Sequence, residues 1–149
     1  MEWIAALQGK VVGLDTSPLI YFIEEYPVHL GTVRPFFEAM DRGEFSVVTS
    51  TVTLLEVLVH PFRRGDIELA QQYRDILLNS EGLTTVLLSQ SIAEEAARLR
   101  AVHNVRTPDA IQLATVIEQG ASFFLTNDLS LPLLPGLNML MLDKLKAGQ

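Results

Sequence analysis

Short apolar runs alternate with longer amphipathic segments along most of the chain. Five of these runs predict buried strands, at residues 11–14, 45–49, 83–88, 122–126 and 137–142. Between them, apolar residues recur at helical spacing and predict helices over residues 18–23, 32–42, 51–60, 66–79, 91–103 and 110–117. Strands that alternate with helices predict an α/β fold, in which a mostly parallel five-stranded sheet carries helices on both faces.

Composition narrows the class of protein. A length of 149 residues predicts one domain over residues 1–149, and an apolar fraction of 48% is enough for a globular core. The absence of cysteine excludes disulfides, thiolate metal sites and a cysteine nucleophile. The first residues lack a basic segment and no apolar run approaches the roughly 20 residues that span a bilayer. We therefore expect a cytoplasmic protein with no membrane partner.

Four carboxylates occupy positions where an apolar chain has little structural use for them. Asp15 and Asp128 end two of the predicted strands, Asp109 opens a helix after Pro108, and Glu56 interrupts an apolar helical segment. The carboxyl ends of parallel strands share one crevice, where open α/β sheets bind their ligands. Like charges brought together need a counter-ion, and the commonest is a divalent cation.

Each acid, taken alone, also has a structural interpretation. Asp109 suits the first turn of a helix, and Asp128 suits a turn. Asp15 could cap a helix, but Ser17 before Pro18 already fills that role in the sequence. Glu56 between apolar neighbours would be costly to bury unless it is paired. The four acids together, rather than any one of them, predict a site.

The segments around these acids resemble the four acidic motifs of PIN-domain ribonucleases, and most of all VapC-type toxins of toxin–antitoxin pairs. The similar segments are residues 14–21, 53–57, 107–114 and 124–128, and the resemblance extends from Val11 to about Leu142. It implies a PIN-like three-layer sandwich. It also implies that the four acids are catalytic and ligate one or two Mg²⁺ or Mn²⁺ ions. Thr126 and Ser17 would lie behind these acids and support them.

The chemistry implied by this resemblance is hydrolysis of RNA. A divalent cation lowers the pKa of a bound water and stabilises the departing oxygen, so no histidine or lysine base is required. We assign Asp15 and Asp109 as direct ligands. Asp128 and Glu56 would bind through water or orient the attacking water. The resemblance therefore predicts a metal-dependent endoribonuclease that acts as a toxin.

The same resemblance predicts the partners: an RNA substrate and an antitoxin that places a basic side chain near Asp15 and Asp109. A homodimer is also expected, because the first two helices carry more apolar surface than one core face needs. That surface comprises Leu19, Tyr21, Phe22, Ile23, Tyr26, Phe36 and Phe37. Arg106 could touch phosphate, but its position favours a solvated charge.

Two features depart from the pattern and keep alternatives open. Asn127 stands where many such toxins carry a basic residue, and a net charge of −7 is unusually acidic for an RNA-binding protein. One alternative is a catalytically silent PIN scaffold that binds RNA or protein. The other is a haloacid-dehalogenase-like phosphatase, although Ser17 stands where that class has a second acid. That class also needs a late lysine near the site, and the sequence has none between Lys10 and Lys144.

Overall fold

A five-stranded sheet forms the centre of the computed structural model, which describes residues 1–145. The strands are β1 (Val11–Leu14), β2 (Ser46–Ser50), β3 (Leu83–Val86), β4 (Phe123–Thr126) and β5 (Asn138–Met141). Their order is β3-β2-β1-β4-β5, and every neighbouring pair is parallel. The predicted α/β class and five-stranded sheet are confirmed. Residues 146–149, which the predicted domain includes, lie outside the described residues.

Helices connect the first four strands and cover both faces of the sheet. They are α1 (Glu2–Ala5), α2 (Thr16–Ile23), α3 (Leu30–Asp41), α4 (Thr51–Arg64), α5 (Ile67–Asn79), α6 (Gln90–His103) and α7 (Thr107–Glu118), with a 3₁₀ turn at Leu142–Lys144 after β5. In residues 1–145 none of the helices is both long and apolar enough to cross a bilayer. The sequence did not predict α1, and it began α7 three residues too late.

Two apolar cores, one on each side of the sheet, make the structure three-layered. On one side α2, α3 and α5 bury residues such as Leu19, Phe36 and Tyr73. On the other side α6 and α7 bury residues such as Leu99 and Leu113. The two cores fix the direction of α2 and α7, the helices that begin beside the acidic residues.

Gly13 allows α7 to lie directly against the central strand. A Cβ atom at this position would come within 2.7 Å of Cγ1 of Val116 and 2.8 Å of Cδ1 of Phe124. Real Cβ contacts do not approach so closely, so any larger residue would push α7 away from β1. The glycine thus helps to bring the start of α7, which carries Asp109, toward the end of β1.

The predicted cap of α2 at Ser17 is wrong, because the helix begins at Thr16 and Asp15 caps it. Asp15 has an extended backbone, and its Oδ1 atom accepts a hydrogen bond from the backbone N–H of Thr16 at 2.7 Å. Ser17 is instead the second residue of the helix. Pro18 fits in the first turn, where a backbone N–H has no partner within the helix.

The apolar surface expected on the first two predicted helices, here α2 and α3, is covered in part. Leu19 and Phe36 are fully buried in the chain's own core, and Phe37 is nearly so. Tyr26, at 41%, is the one exposed residue among the seven that the sequence suggested, all of which the structure describes. Tyr21, Phe22 and Ile23 are half-buried, so the homodimer stays a prediction with less apolar surface behind it than the sequence suggested, and solution scattering at micromolar concentration would test it.

Candidate active site

Asp15 lies at the carboxyl end of β1, where the chain passes from the sheet into α2. Its side chain is buried, and both carboxylate oxygens have partners. Oδ1 accepts from the Thr16 backbone, and Oδ2 accepts from the hydroxyl of Thr126 at 2.7 Å. The Thr126 hydroxyl oxygen also accepts from the backbone N–H of Asp128 at 3.1 Å. Thr126 therefore links the ends of β1 and β4, and it joins two of the predicted site acids.

Glu56 lies in the second turn of α4 and turns back toward the start of α2. Its Oε1 atom accepts a hydrogen bond from the Thr16 hydroxyl at 2.7 Å. Thr16 in turn accepts from the side-chain amide of Gln112 on α7 at 3.0 Å. The partner that this half-buried carboxylate required is therefore a hydroxyl, supplied by the residue next to Asp15.

Asp109 lies in the first turn of α7 and forms an ion pair with Arg106, the residue immediately before this helix. The Nε atom of Arg106 lies 3.1 Å from Oδ2 of Asp109, and one terminal nitrogen lies 3.5 Å from Oδ1. The side chain of Arg106 is 73% exposed, whereas that of Asp109 is 12% exposed. Arg106 is solvated, as predicted, but the sequence did not reveal its ion pair with a site residue.

Asp128 forms a turn after β4. Its Oδ1 atom accepts from the backbone N–H of Ser130 at 2.9 Å and from the Ser130 hydroxyl at 2.6 Å. The neighbouring Asn127 accepts from the backbone N–H of Asp143 at 3.1 Å, through its side-chain carbonyl. Asn127 thus joins the end of β4 to the turn after β5, a role that a basic side chain could not fill.

Burial and neighbouring charge both act on Asp15. Burial is the largest effect, and it raises the pKa of Asp15 above the ordinary value of 3.8. The negative charges of Asp109 and Glu56 raise that pKa further, while the hydrogen bonds from Thr126 and Thr16 oppose the change. Repulsion among the acids therefore contributes to the raised pKa of Asp15, but desolvation contributes more.

The charges of Asp109, Glu56 and Asp128 act on Arg106. Its pKa is raised first by the hydrogen bond and charge of Asp109, and then by the charges of Glu56 and Asp128. Asp109 and Glu56 also act on Asp15, and Thr126 joins Asp15 to the backbone of Asp128, so each of the four predicted acids neighbours Asp15 or Arg106, and we call the four the acidic cluster. The structure thus brings together acids that lie more than a hundred residues apart in the sequence.

The donor chemistry of this cluster fits a hard divalent cation, since it consists of carboxylates with no cysteine or histidine among them. Among residues 1–145, however, no three Asp, Glu or His side chains surround a common point at ligand distance. Glu56, Asp109 and Asp128 accept hydrogen bonds from Thr16, Arg106 and Ser130. A carboxylate has about four acceptor positions, so Asp15 keeps free lone pairs beside its two hydrogen bonds.

Sequence reasoning missed Gln112, which is 2% exposed on a helix predicted to be apolar on nearly every face. The signal that could have revealed it is the presence of a long amide within that apolar helix, three residues after Asp109. Residues three apart share a helix face, so Gln112 follows Asp109 toward the site. The predicted supporting residue Ser17 is half-buried in α2, and its role stays a prediction.

Family comparison agrees with this arrangement. The chain matches the PIN domain family over residues 12–136, a range that contains all four acids. The chain belongs to the PIN domain family. The haloacid-dehalogenase-like alternative is therefore wrong. Comparison with curated proteins gives no match.

Solved structures share the fold of this PIN domain. VapBC2 from Rickettsia felis, bound to a DNA fragment from its promoter, is 18% identical with a TM-score of 0.69, over 88% of this chain and 98% of that one. A toxin–antitoxin complex from Klebsiella pneumoniae is 23% identical with a TM-score of 0.62, and the match covers 85% of this chain and 94% of that one. VapC20 from Mycobacterium tuberculosis, a toxin that cleaves the sarcin–ricin loop, is 19% identical with a TM-score of 0.63, over 76% and 86%. At these identities the comparison establishes the fold.

Proposed function

We propose that this PIN domain is a metal-dependent endoribonuclease that hydrolyses RNA phosphodiester bonds. The observation that supports the proposal is the neighbourhood of the four acids: Thr126 joins Asp15 to Asp128, Thr16 joins Asp15 to Glu56, and the charges of Asp109 and Glu56 act on Asp15. A fold has little structural reason to place four carboxylates together, because their repulsion and desolvation oppose folding. Cation binding supplies that reason, and membership in the PIN domain family supports it.

Asp15 and Asp109 would hold Mg²⁺ or Mn²⁺ directly, while Glu56 and Asp128 would act through water or orient the attacking water. A bound cation lowers the pKa of water and stabilises charge on the departing oxygen. The chain contributes fixed positions: Thr126 and the Thr16 backbone hold Asp15, and the Thr16 hydroxyl holds Glu56. Arg106 supplies a cation at the exposed rim, where an RNA phosphate would approach.

The experiment is cleavage of cellular RNA by purified protein with Mg²⁺ or Mn²⁺, with and without an excess of chelator. We expect cleavage with either ion and none after full chelation, and mapped cut sites would define the substrate. Cleavage that survives full chelation would overturn the metal-dependent mechanism. RNA binding without cleavage would favour the alternative of a silent PIN scaffold.

We further propose that the protein is the toxin of a toxin–antitoxin pair. Similar folds occur in structures described as toxin–antitoxin complexes, and an acidic cluster attracts Arg or Lys from a second chain. Beside Asp128 a groove of about 470 Å³ exposes apolar side chains, among them Leu129 at 75% and Leu133 at 85%. An antitoxin segment could cover these side chains while its basic residue reaches Asp15 and Asp109.

Co-expression with the product of a neighbouring open reading frame tests the antitoxin proposal. We expect the two proteins to co-purify and RNA cleavage to be inhibited. A matched variant, Leu133→Ser, should weaken the complex while the isolated enzyme keeps its activity, because Leu133 is exposed and outside the acidic cluster. Failure of the neighbouring product to bind or inhibit would count against the toxin assignment.

A further inference from the structure

A buried polar network connects α7 to Glu56 and to the end of β1. The side-chain nitrogen of Gln112 lies 3.0 Å from the hydroxyl oxygen of Thr16 and 2.7 Å from that of Thr53. Thr53 contacts the hydroxyl of Thr49 at 2.9 Å, and Thr49 donates to the backbone carbonyl of Leu14 at 2.8 Å. Thr49 and Thr53 are fully buried, so these contacts are shielded from water.

The network has two branches, and the first runs from Gln112 through Thr16 to Glu56. The single proton of the Thr16 hydroxyl fixes the direction of its hydrogen bonds. The carboxylate of Glu56 can only accept hydrogen bonds. The hydroxyl of Thr16, which has one proton, must therefore donate that proton to Glu56 in the 2.7 Å hydrogen bond. With its proton committed, Thr16 can only accept from Gln112. One of the two hydrogens on the Gln112 amide nitrogen fills that contact.

The second branch runs from Gln112 through Thr53 and Thr49 to the carbonyl of Leu14, and its direction is fixed in the same way. The carbonyl of Leu14 cannot donate, so the proton of Thr49 is directed to it. The Thr49–Thr53 contact must then use the proton of Thr53, which leaves Thr53 as an acceptor for the other hydrogen of Gln112. Both branches therefore begin at one amide group, and each proton has one assignment.

We propose that Gln112 is a positioning residue, which directs the Thr16 hydroxyl onto Glu56 and so holds this carboxylate toward the cation site. The second branch fixes the carbonyl of Leu14, the residue before Asp15. This inference rests on the proposed function, because the value of fixing Glu56 lies in the cation that the acids share. The opposite amide orientation would draw the Thr16 proton to the Gln112 oxygen and leave Glu56 without its donor.

The test is calorimetric titration with Mn²⁺ of the wild type, Gln112→Met and Thr16→Val. Methionine fills a similar volume without donors, and valine removes the hydroxyl that connects Gln112 to Glu56. Loss of a residue that orients a metal ligand typically lowers affinity about 10- to 100-fold, and we expect both variants to fall in this range. The double variant should lose no more than Thr16→Val alone, since both changes break one pathway.

The matched control is Thr115→Val, which removes another buried hydroxyl from α7. The hydroxyl of Thr115 donates to the carbonyl of Ile111 at 2.7 Å, and this hydroxyl forms no hydrogen bond with any of the four acids. This variant should be less stable to urea while its Mn²⁺ affinity stays within about twofold, since a lost helix hydrogen bond away from the acids acts on folding alone. An equal loss of affinity in Thr115→Val and Gln112→Met would overturn the inference.

The outcomes separate this inference from the proposed function. A wild type that binds Mn²⁺ but cuts no RNA would overturn the nuclease proposal and leave the positioning role intact. Gln112→Met that binds Mn²⁺ as the wild type does would overturn the positioning role alone. If Gln112→Met does not fold, unchanged affinity in Thr16→Val would overturn that role equally, and a wild type that binds no Mn²⁺ overturns both proposals.

Discussion

The acidic cluster has two halves that differ in the exposure of the acids' hydrogen-bond partners. In the buried half the partners Thr126 and Thr16 are buried or half-buried, and in the exposed half the partners Arg106 and Ser130 are exposed. In the buried half, Asp15 and Glu56 accept hydrogen bonds from hydroxyls that are themselves fixed by β4 and α7. In the exposed half, the contacts come from the mostly solvated Arg106 to Asp109, and from a turn at Ser130 to Asp128.

This difference has energetic consequences. Burial raises the pKa of Asp15, so the charged form that binds a cation opposes folding of the metal-free chain. The hydroxyl contacts offset part of that cost and fix the geometry. Arg106 is 73% exposed, so water screens its side of the ion pair with Asp109, and Asp109 can exchange Arg106 for a cation. The fold thus fixes one half and leaves the other adjustable.

The largest effect should come from Asp15→Asn. Asparagine can still cap α2, so the fold is retained, but the central carboxylate is lost. RNA cleavage should fall by more than about 100-fold, since removing an orienting partner alone costs about 10- to 100-fold. Cleavage kinetics with Mn²⁺ give the measurement, and Asp143→Asn is the control because Asp143 is an exposed acid paired with His29. Cleavage by Asp15→Asn at the wild-type rate would remove Asp15 from the site.

Thr126→Val tests the rigidity of the buried half. It removes the donor to Asp15 and the acceptor for the Asp128 backbone, and the site is fully buried. Unsatisfied buried groups should lower the unfolding free energy by about 1–3 kcal/mol. Mn²⁺ affinity should also fall, by about 10- to 100-fold. Urea unfolding and calorimetry measure the two quantities, and a loss of stability with unchanged affinity would contradict this role.

The pH dependence of stability isolates the buried charge. Because the pKa of Asp15 is raised, the folded metal-free chain holds its proton more tightly than the unfolded chain does. The contribution of Asp15 to the unfolding free energy should therefore fall as the pH rises from 3.8 through its folded pKa. Urea unfolding of the wild type and Asp15→Asn across this range should show a smaller fall in the variant. Parallel curves would mean that Asp15 carries no such penalty.

The smallest effect should come from Arg106→Gln in the exposed half. Without its guanidinium, Asp109 is free for the cation, and Mn²⁺ affinity should rise a few-fold. The gain should shrink at high salt, because exposed charges are screened. Arg98→Gln is the control, since Arg98 forms a similar exposed pair with Glu95 on α6. Weaker Mn²⁺ binding in Arg106→Gln would show that Arg106 supports the site instead of competing for it.

The sheet and the positions of the strand-end acids could be predicted because they depend on local patterns. Short apolar runs identify strands, and parallel pairing places Asp15 and the segment before Asp128 at the same edge. The hydroxyl network could not be predicted. Gln112 meets Thr53 and Thr16 across 59 and 96 residues of sequence, and those contacts exist only after α7 packs on β1.

The choice of helix cap failed for a related reason. Asp15 and Ser17 are both good caps by residue type. The backbone of Asp15 is held extended at the sheet edge, where its N–H donates to the carbonyl of Leu125 at 3.0 Å, and this pairing selects Asp15. Likewise, Leu19, Phe36 and Phe37, which contributed to the apolar surface that suggested a dimer, are buried in the chain's own core, and a count of apolar residues does not reveal this.

The most direct test of a shared cation site is a calorimetric Mn²⁺ titration of Asp15→Asn, Glu56→Gln, Asp109→Asn and Asp128→Asn beside the wild type. At about ten times the dissociation constant, Mn²⁺ should stabilise the wild type by on the order of 1.4 kcal/mol. Every variant should bind Mn²⁺ more weakly than the wild type. Asp109→Asn and Asp128→Asn, the variants of the exposed half, should keep the stability of the metal-free protein. Wild-type affinity in both Asp109→Asn and Asp128→Asn would contradict the shared site, because those acids would then be surface charges only.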